Sequence, residues 1–127
     1  MNFGSRVTLL TLPLVLLLGL PARAQEVEVG TSLLCDTQEQ VERFVTLYDG
    51  DAKSTANSVN AAEHNPTACA VTTMAYVRGH QLARARNKDT TFQIVPILVV
   101  GVVGEEGVES VTPAAYFSVF EVEEIGI

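Results

Sequence analysis

The chain has 127 residues, of which 47% are hydrophobic and 18% charged, and its formal net charge is −7 at neutral pH. This length suits one small domain, and the acidic charge disfavours nucleic acid and anionic membrane surfaces as partners, because both repel it. The charge permits a basic protein or peptide as partner, and solubility alone would also account for it.

The first 24 residues have the features of a secretory signal peptide. A short segment with one positive charge precedes an apolar run over residues 7–20, and Ala22-Arg23-Ala24 places small residues where a signal peptidase inspects the chain. We expect cleavage after Ala24, which leaves residues 25–127 as one domain. The run is too short to span a bilayer, so we expect no stable membrane insertion after cleavage. The periplasm is the expected destination, ahead of the extracellular medium.

Two cysteines, Cys35 and Cys69, remain after the leader. An even count in an oxidising compartment predicts one disulfide, which contributes about 4 kcal/mol for a loop of this size in the chain-entropy model. The alternative makes one thiol a nucleophile with His64 or His80 as its base. No local motif supports that alternative, and a free thiol outside the cytoplasm would be exposed to oxidation. We therefore expect a structural bridge.

The residues between the cysteines form one predicted helix and a weaker second one. Two overlapping capping boxes within Asp36–Gln40 mark the start of the first helix, and Gly50 marks its end. The apolar side chains of this helix recur at spacings of three, four and seven residues and share one stripe, which consists of Val41, Phe44, Val45 and Tyr48. The segment Asp51–Ala62 is the weaker candidate, because Ser, Thr and Asn lower its helix propensity.

Four strands are predicted in the second half of the chain. They cover residues 68–77, 81–86, 90–103 and 108–122. The third is the most apolar and is rich in β-branched residues, which predicts a central strand. Pro96 cannot donate to a strand ladder, so we expect an irregularity there, with a second bend at Gly101.

These elements predict an α+β fold, in which one N-terminal amphipathic helix, with a short second helix, packs on a curled antiparallel sheet of about four strands. Both faces of the last strand are apolar, which predicts that the sheet curls like a small half-open barrel and buries part of the face opposite the helix. The bridge is expected to tie the first of these strands to the cap of the first helix.

No motif for catalysis or metal binding is present. His64, Cys69 and His80 lack the spacing of a zinc site, and the acidic clusters lack the alternation of a calcium loop. No serine lies in a nucleophile elbow, and we expect no cofactor. The candidate surface site consists of His80, Arg84 and Tyr116, whose convergence would indicate a binding cleft.

Three stretches resemble a group of small exported proteins of unknown function from soil and plant-associated bacteria. They are LLCDTQEQVERFV, NPTACAV, and FQIVPILVVGVV followed by VTPAAYFSVFEVEE. The resemblance covers nearly the whole mature chain. It implies that Cys35 and Cys69 belong to a recurring scaffold, and it implies no activity, cofactor or catalytic residue.

Two classes of function are consistent with the sequence. The first is a non-catalytic envelope protein that binds another protein, which includes an inhibitor of a basic extracellular enzyme. The second is a small secreted hydrolase or thiol enzyme that uses His64 or His80. The first is favoured, because the sequence offers no set of nucleophile, base and orienting group.

Overall fold

A computed structural model describes residues 26–122, so the predicted leader and its cleavage site after Ala24 lie outside the described residues. Two helices and five strands follow one another within this range. In chain order they are β1 (Glu28–Cys35), α1 (Gln38–Leu47), α2 (Ala52–Glu63), β2 (Cys69–Arg78), β3 (Ala83–Asn87), β4 (Thr90–Gly104) and β5 (Gly107–Glu121). The predicted α+β class is confirmed.

The strands pair antiparallel and close into a ring. β1 pairs with β2, β2 with β4, and β4 with β5, and β5 returns to β1 where Phe117 lies opposite Cys35. β3 lies outside the ring on the first part of β4, along the edge that β2 occupies from Ile97 onward. Alternate residues of each strand therefore point to an inner face, which the ring encloses, or to an outer face.

β1 raises the strand count from the predicted four to five. Val29, Leu33 and Cys35 alternate with other residues at the period of a strand, but no strand is predicted in this segment, which directly follows the predicted leader. Cys35 lies opposite Cys69, and a disulfide joins them. The predicted bridge is confirmed, but it joins two neighbouring strands, because Cys35 ends β1 before the cap of α1 begins.

Both helices begin at caps that the sequence contains. Thr37 Oγ1 accepts a hydrogen bond from the Gln40 N–H at 3.2 Å, and Gln40 Oε1 accepts one from the Thr37 N–H at 3.0 Å. Asp51 caps α2 by accepting from the Ser54 N–H at 3.1 Å. α2 is a full helix of 12 residues that packs against β2, so its tertiary packing outweighs its weak intrinsic propensity.

Each face of the sheet has its own apolar cluster. The outer cluster lies between the helices and the sheet and contains Leu33, Cys35, Val41, Phe44, Val45, Ala56, Val59, Cys69, Phe92, Ile94 and Val119. The inner cluster consists of Met74, Tyr76, Ile97 and Val99, with Leu34, Tyr116 and Phe120 packed against it. The curl of the sheet thus buries the face opposite the helices, as the apolar pattern of the last strand predicts.

The irregularity expected at Pro96 is not found, whereas the bend expected at Gly101 coincides with a shift in register. β4 continues through Pro96, which stays in register with Phe117, and the shift in register falls between Val99 and Gly101. The Pro96 carbonyl accepts a hydrogen bond from the Gly79 N–H at 2.8 Å, so the missing N–H of Pro96 points to the same side. Because β4 changes partner from β3 to β2 on that side, the ladder needs no donor from Pro96.

Candidate interaction surface

The outer face of the ring extends beyond the helices and is apolar there. Val77 lies opposite Leu98, Leu98 opposite Ala115, and Val103 opposite Val108 on neighbouring strands. We call this surface the apolar outer patch, and it consists of Val29, Val77, Leu98, Val103, Val108 and Ala115. None of these six residues belongs to the cluster that packs under the helices.

Several of the large side chains in the apolar outer patch are open to solvent. The exposed fractions are 57% for Val29, 41% for Leu98, 39% for Val103 and 55% for Val108. Single exposed apolar side chains are ordinary on a protein surface, but neighbouring ones on one face of a sheet are not.

The floor of the apolar outer patch is made of small residues. Ala75 is 3% exposed and lies opposite Gly101, which is also buried. A Cβ atom at Gly101 would lie 3.0 Å from the Glu109 carbonyl oxygen, 3.0 Å from Val108 Cγ1 and 3.3 Å from Ala75 Cβ. Glycine at this position therefore lets β5 approach β4 closely, and no side chain projects from the apolar outer patch at this point.

A shallow groove of about 230 Å³ opens at one end of the apolar outer patch. Its lining includes Val77, Gly79, Pro96, Leu98 and Ala115. A Cβ atom at Gly79 would lie 2.8 Å from Pro96 Cγ, so any larger residue at this position would push against the wall of the groove. The groove is mostly apolar and open, which suits an apolar side chain of a partner better than an enclosed small molecule.

The end of the β4–β5 hairpin, which we call the arm, carries only negative charge. The arm comprises residues 102–113, all of which are exposed. It contains Glu105, Glu106 and Glu109, and the sequence contains no Lys or Arg after Lys88. Its backbone turns at Gly107, where φ is 110° and glycine is favoured. The apolar outer patch is therefore bordered by acidic side chains on this side.

The three residues of the predicted surface site lie on different elements. His80 is exposed in the loop between β2 and β3, Arg84 is exposed on β3, and Tyr116 is half-buried against the inner cluster. None of them lines the groove beside Pro96. No hydrogen bond or ring contact within residues 26–122 joins any two of them, and their role as a binding site stays a prediction.

Arg78 organises the end of the ring near these residues, and no sequence pattern indicated it. Its guanidinium carbon lies 3.5 Å from the centre of the Phe120 ring, and its Nε donates to Glu28 Oε2 at 2.7 Å. The Phe120 ring stacks on Tyr76 with 6.0 Å between centroids. This set holds β1, β2 and β5 together where β1 and β5 no longer pair, so we assign it a structural role.

The joint between the helices contains a carboxylate with a perturbed pKa. Asp49 accepts hydrogen bonds from the Asp51 N–H at 2.9 Å, the Ser54 hydroxyl at 2.9 Å and the Thr55 hydroxyl at 3.1 Å. These bonds, the one from the Asp51 backbone first, lower the pKa of Asp49 because they favour its charged form. The carboxylate is exposed and fixes the start of α2, which is a structural task.

Residues 26–122 contain few side chains arranged for catalysis or metal binding. His64 ends α2 in a left-handed conformation with φ of 54° and is exposed, and both cysteines are in the disulfide. In this range no three His, Cys, Asp or Glu side chains are grouped closely enough to hold a metal ion, and no helix has the length and apolar character needed to cross a membrane. No protein-family model, curated protein or solved structure matches the chain.

Proposed function

We propose that this chain is an exported, non-catalytic envelope module that binds another protein through the apolar outer patch. The observation that carries the proposal is the exposure of Val29, Leu98, Val103 and Val108 on one face of the sheet. Contiguous apolar surface bordered by polar residues is typical of protein interaction sites. The signal peptide predicted from the sequence and the buried disulfide both suit a protein that works outside the cytoplasm.

The backbone under the apolar outer patch supports this proposal because it is rigid. β4 pairs with β2 on one edge and with β5 on the other, and the buried residues Ala75 and Gly101 lie opposite each other in the β2–β4 ladder. A partner would meet a surface that is already ordered, so association would lose little conformational entropy on this side.

The partner proposed here is a basic protein or peptide, which includes a basic extracellular enzyme that the chain would inhibit. The arm places Glu105 and Glu106 in the turn next to Val103 and Val108 of the apolar outer patch, and Glu109 follows on the opposite face of the same hairpin. No basic residue lies on β4 or β5. Opposite charge on the partner would raise the association rate, and salt would screen the attraction.

The alternative of a small secreted hydrolase or thiol enzyme has less support. The sulfur atoms of Cys35 and Cys69 are bonded to each other. His64 and His80 are exposed, and within residues 26–122 no side-chain hydrogen bond orients either imidazole. A general base needs such an orienting partner or a neighbouring nucleophile.

Photo-crosslinking followed by a matched pair of substitutions tests the proposed function. A photo-reactive amino acid at position 108 should capture a protein in the native envelope, which is then identified and purified. Leu98→Gln, in the apolar outer patch, should weaken binding of the purified partner by about tenfold. Leu82→Gln is the control, because Leu82 is 47% exposed against 41% for Leu98 but lies in the loop before β3. Equal affinities for the two variants would refute the proposal.

A further inference from the structure

Among residues 26–122, one edge of β5 along the arm has no paired strand. β5 pairs with β4 from Gly107 to Glu121 and with β1 only at Phe117. Within the described residues no strand lies on the other edge of residues 107–115, and those from 107 to 113 are exposed. The backbone N–H and C=O groups on such an edge are available to another chain.

Val108 and Glu109 begin this edge with an apolar and an acidic side chain on opposite faces. Val108 lies on the outer face opposite Val103, and Glu109 lies on the inner face opposite Val102. Ser110 and Val111 follow on the outer and inner sides. A strand added to this edge would place successive side chains beside Val108 and then beside Glu109. An apolar residue beside Val108 and a cationic residue beside Glu109 would satisfy these two neighbours, and Ser110 and Val111 add no charge of their own.

We propose that the arm binds its partner by strand addition, in which an extended segment with alternating apolar and cationic residues pairs with β5 between Gly107 and Thr112. This inference rests on the proposed function, because the added strand would extend the sheet beside Val108 of the apolar outer patch. Backbone hydrogen bonds supply affinity in this mode of recognition, and side chains of alternate residues supply specificity.

A second copy of this chain fits the edge less well than a cationic segment does. Two arms paired edge to edge over residues 107–112 would bring the Glu109 side chains of the two copies close together, and like charges across paired strands are destabilising. The acidic arm therefore selects against self-association and for a segment that carries Lys or Arg.

Pro113 sets the length of the paired segment. It has no N–H to donate, and near it the register between β4 and β5 shifts, since Gly101 pairs with Ser110 while Val99 pairs with Ala114. A regular ladder on β5 therefore ends before Pro113. The bound segment is short, which also protects the edge from indefinite sheet growth.

Titration with short peptides tests the inference on the intact mature protein. The probe is a capped peptide of alternating lysine and valine, and the control peptide has glutamate in place of lysine. We expect the lysine peptide to bind at low salt, with backbone amide NMR shifts concentrated between Gly107 and Thr112, and the glutamate peptide not to bind. Binding of both peptides, or shifts centred elsewhere, would overturn the inference.

N-methylation of the peptide separates strand addition from other modes of binding. In a paired strand, the N–H groups of every second residue face the sheet. Methyl groups on one set of alternate residues should abolish binding, and methyl groups on the other set should spare it. Equal effects of the two sets would contradict strand addition.

A matched pair of glutamates tests the role of charge. Glu109→Gln should weaken the lysine peptide about two- to fivefold, which corresponds to one exposed ion pair. Glu121→Gln should leave its affinity unchanged, because Glu121 lies at the other end of β5, opposite Phe92. If the two variants lose the same affinity for the lysine peptide, the peptide does not bind beside Glu109.

These results distinguish the inference from the proposed function on which it rests. If the captured partner depends on Leu98 but the lysine peptide fails to bind, strand addition is refuted and the proposed function stands. If the partner binds Leu98→Gln as tightly as it binds the unaltered protein, the proposed function is refuted whatever the peptide does.

Discussion

The Asn60 side chain makes the hydrogen bonds that a neighbouring strand would make to the edge of β2 at Cys69. Its replacement gives the sharpest test of the fold. Its Oδ1 accepts from the Cys69 N–H at 2.7 Å, and its Nδ2 donates to the Cys69 carbonyl at 2.9 Å. Nδ2 also donates to the Pro66 carbonyl at 3.0 Å. Asn60 therefore satisfies both backbone groups of Cys69, which is 3% exposed, and anchors α2 to the strand that carries the disulfide.

Asn60→Ala should destabilise the protein by about 2 kcal/mol. Loss of the two bonds to Cys69, which leaves its buried N–H and C=O without partners, costs about 2.5 kcal/mol. Replacement of Asn by Ala within a helix returns about 0.5 kcal/mol through higher helix propensity. For a domain of this size the net loss lowers Tm by roughly 8–16 °C, which thermal and urea unfolding followed by circular dichroism would measure.

Asn57→Ala is the matched control for this prediction. Asn57 lies one turn earlier on α2, is exposed, and makes no side-chain hydrogen bond within residues 26–122. The same chemical change at this position should leave the stability unchanged or raise it by about 0.5 kcal/mol. If the two variants unfold at the same urea concentration, the bonds to Cys69 do not stabilise the fold and the reasoning is wrong.

Two further predictions concern the bridge and the joint between the helices. Replacement of both cysteines, Cys35→Ala with Cys69→Ala, should lower the free energy of unfolding in urea by about 4 kcal/mol, because the bridge closes a loop with a sequence separation of 34; a loss below about 1 kcal/mol would contradict this. The pKa of Asp49 is lowered in the folded state, so its stabilising effect is present above about pH 4 and is lost as the pH falls through the folded pKa. Asp49→Asn should therefore reduce the loss of stability on acidification, whereas Asp89→Asn, whose carboxylate makes no hydrogen bond in the described residues, should not; equal acid sensitivity would count against the assignment.

Local chemistry predicts the parts of this fold that depend on neighbouring residues. The capping box at Thr37 and Gln40 forms as the sequence indicates, because its two hydrogen bonds involve residues only three positions apart. The alternation along β2 puts Met74 and Tyr76 on one face, and the alternation along β5 puts Tyr116 and Phe120 on one face. Met74 and Tyr76 belong to the inner cluster, and Tyr116 and Phe120 pack against it. In these segments the local sequence pattern and the tertiary environment favour the same structure.

The features that the sequence did not predict depend on partners distant in the chain. β1 is held by pairing with β2, about forty residues away, and its own alternation is too short to distinguish it from an extended linker. α2 appeared weak because Ser, Thr and Asn lower its helix propensity, and packing in the assembled fold, which buries Thr55, Ala56 and Val59, outweighs this. Pro96 suggested a break in β4, because proline has no N–H to donate. β4 changes partner at this point, so no donor is needed there, and that change of partner is visible only in the assembled ring.

The apolar outer patch is exposed because the helices are much shorter than β4. The sequence indicates the length of each element, but only the assembled fold shows where the helices lie on the strand. α1 has 10 residues and α2 has 12, so they span about 15 and 18 Å. β4 has 15 residues and spans about 50 Å. α1 follows Cys35 closely and α2 ends shortly before Cys69, so the disulfide region holds the helical layer at one end of the sheet. Two short helices fixed there cannot cover a strand of that length, and the apolar outer face beyond them must meet solvent or a partner.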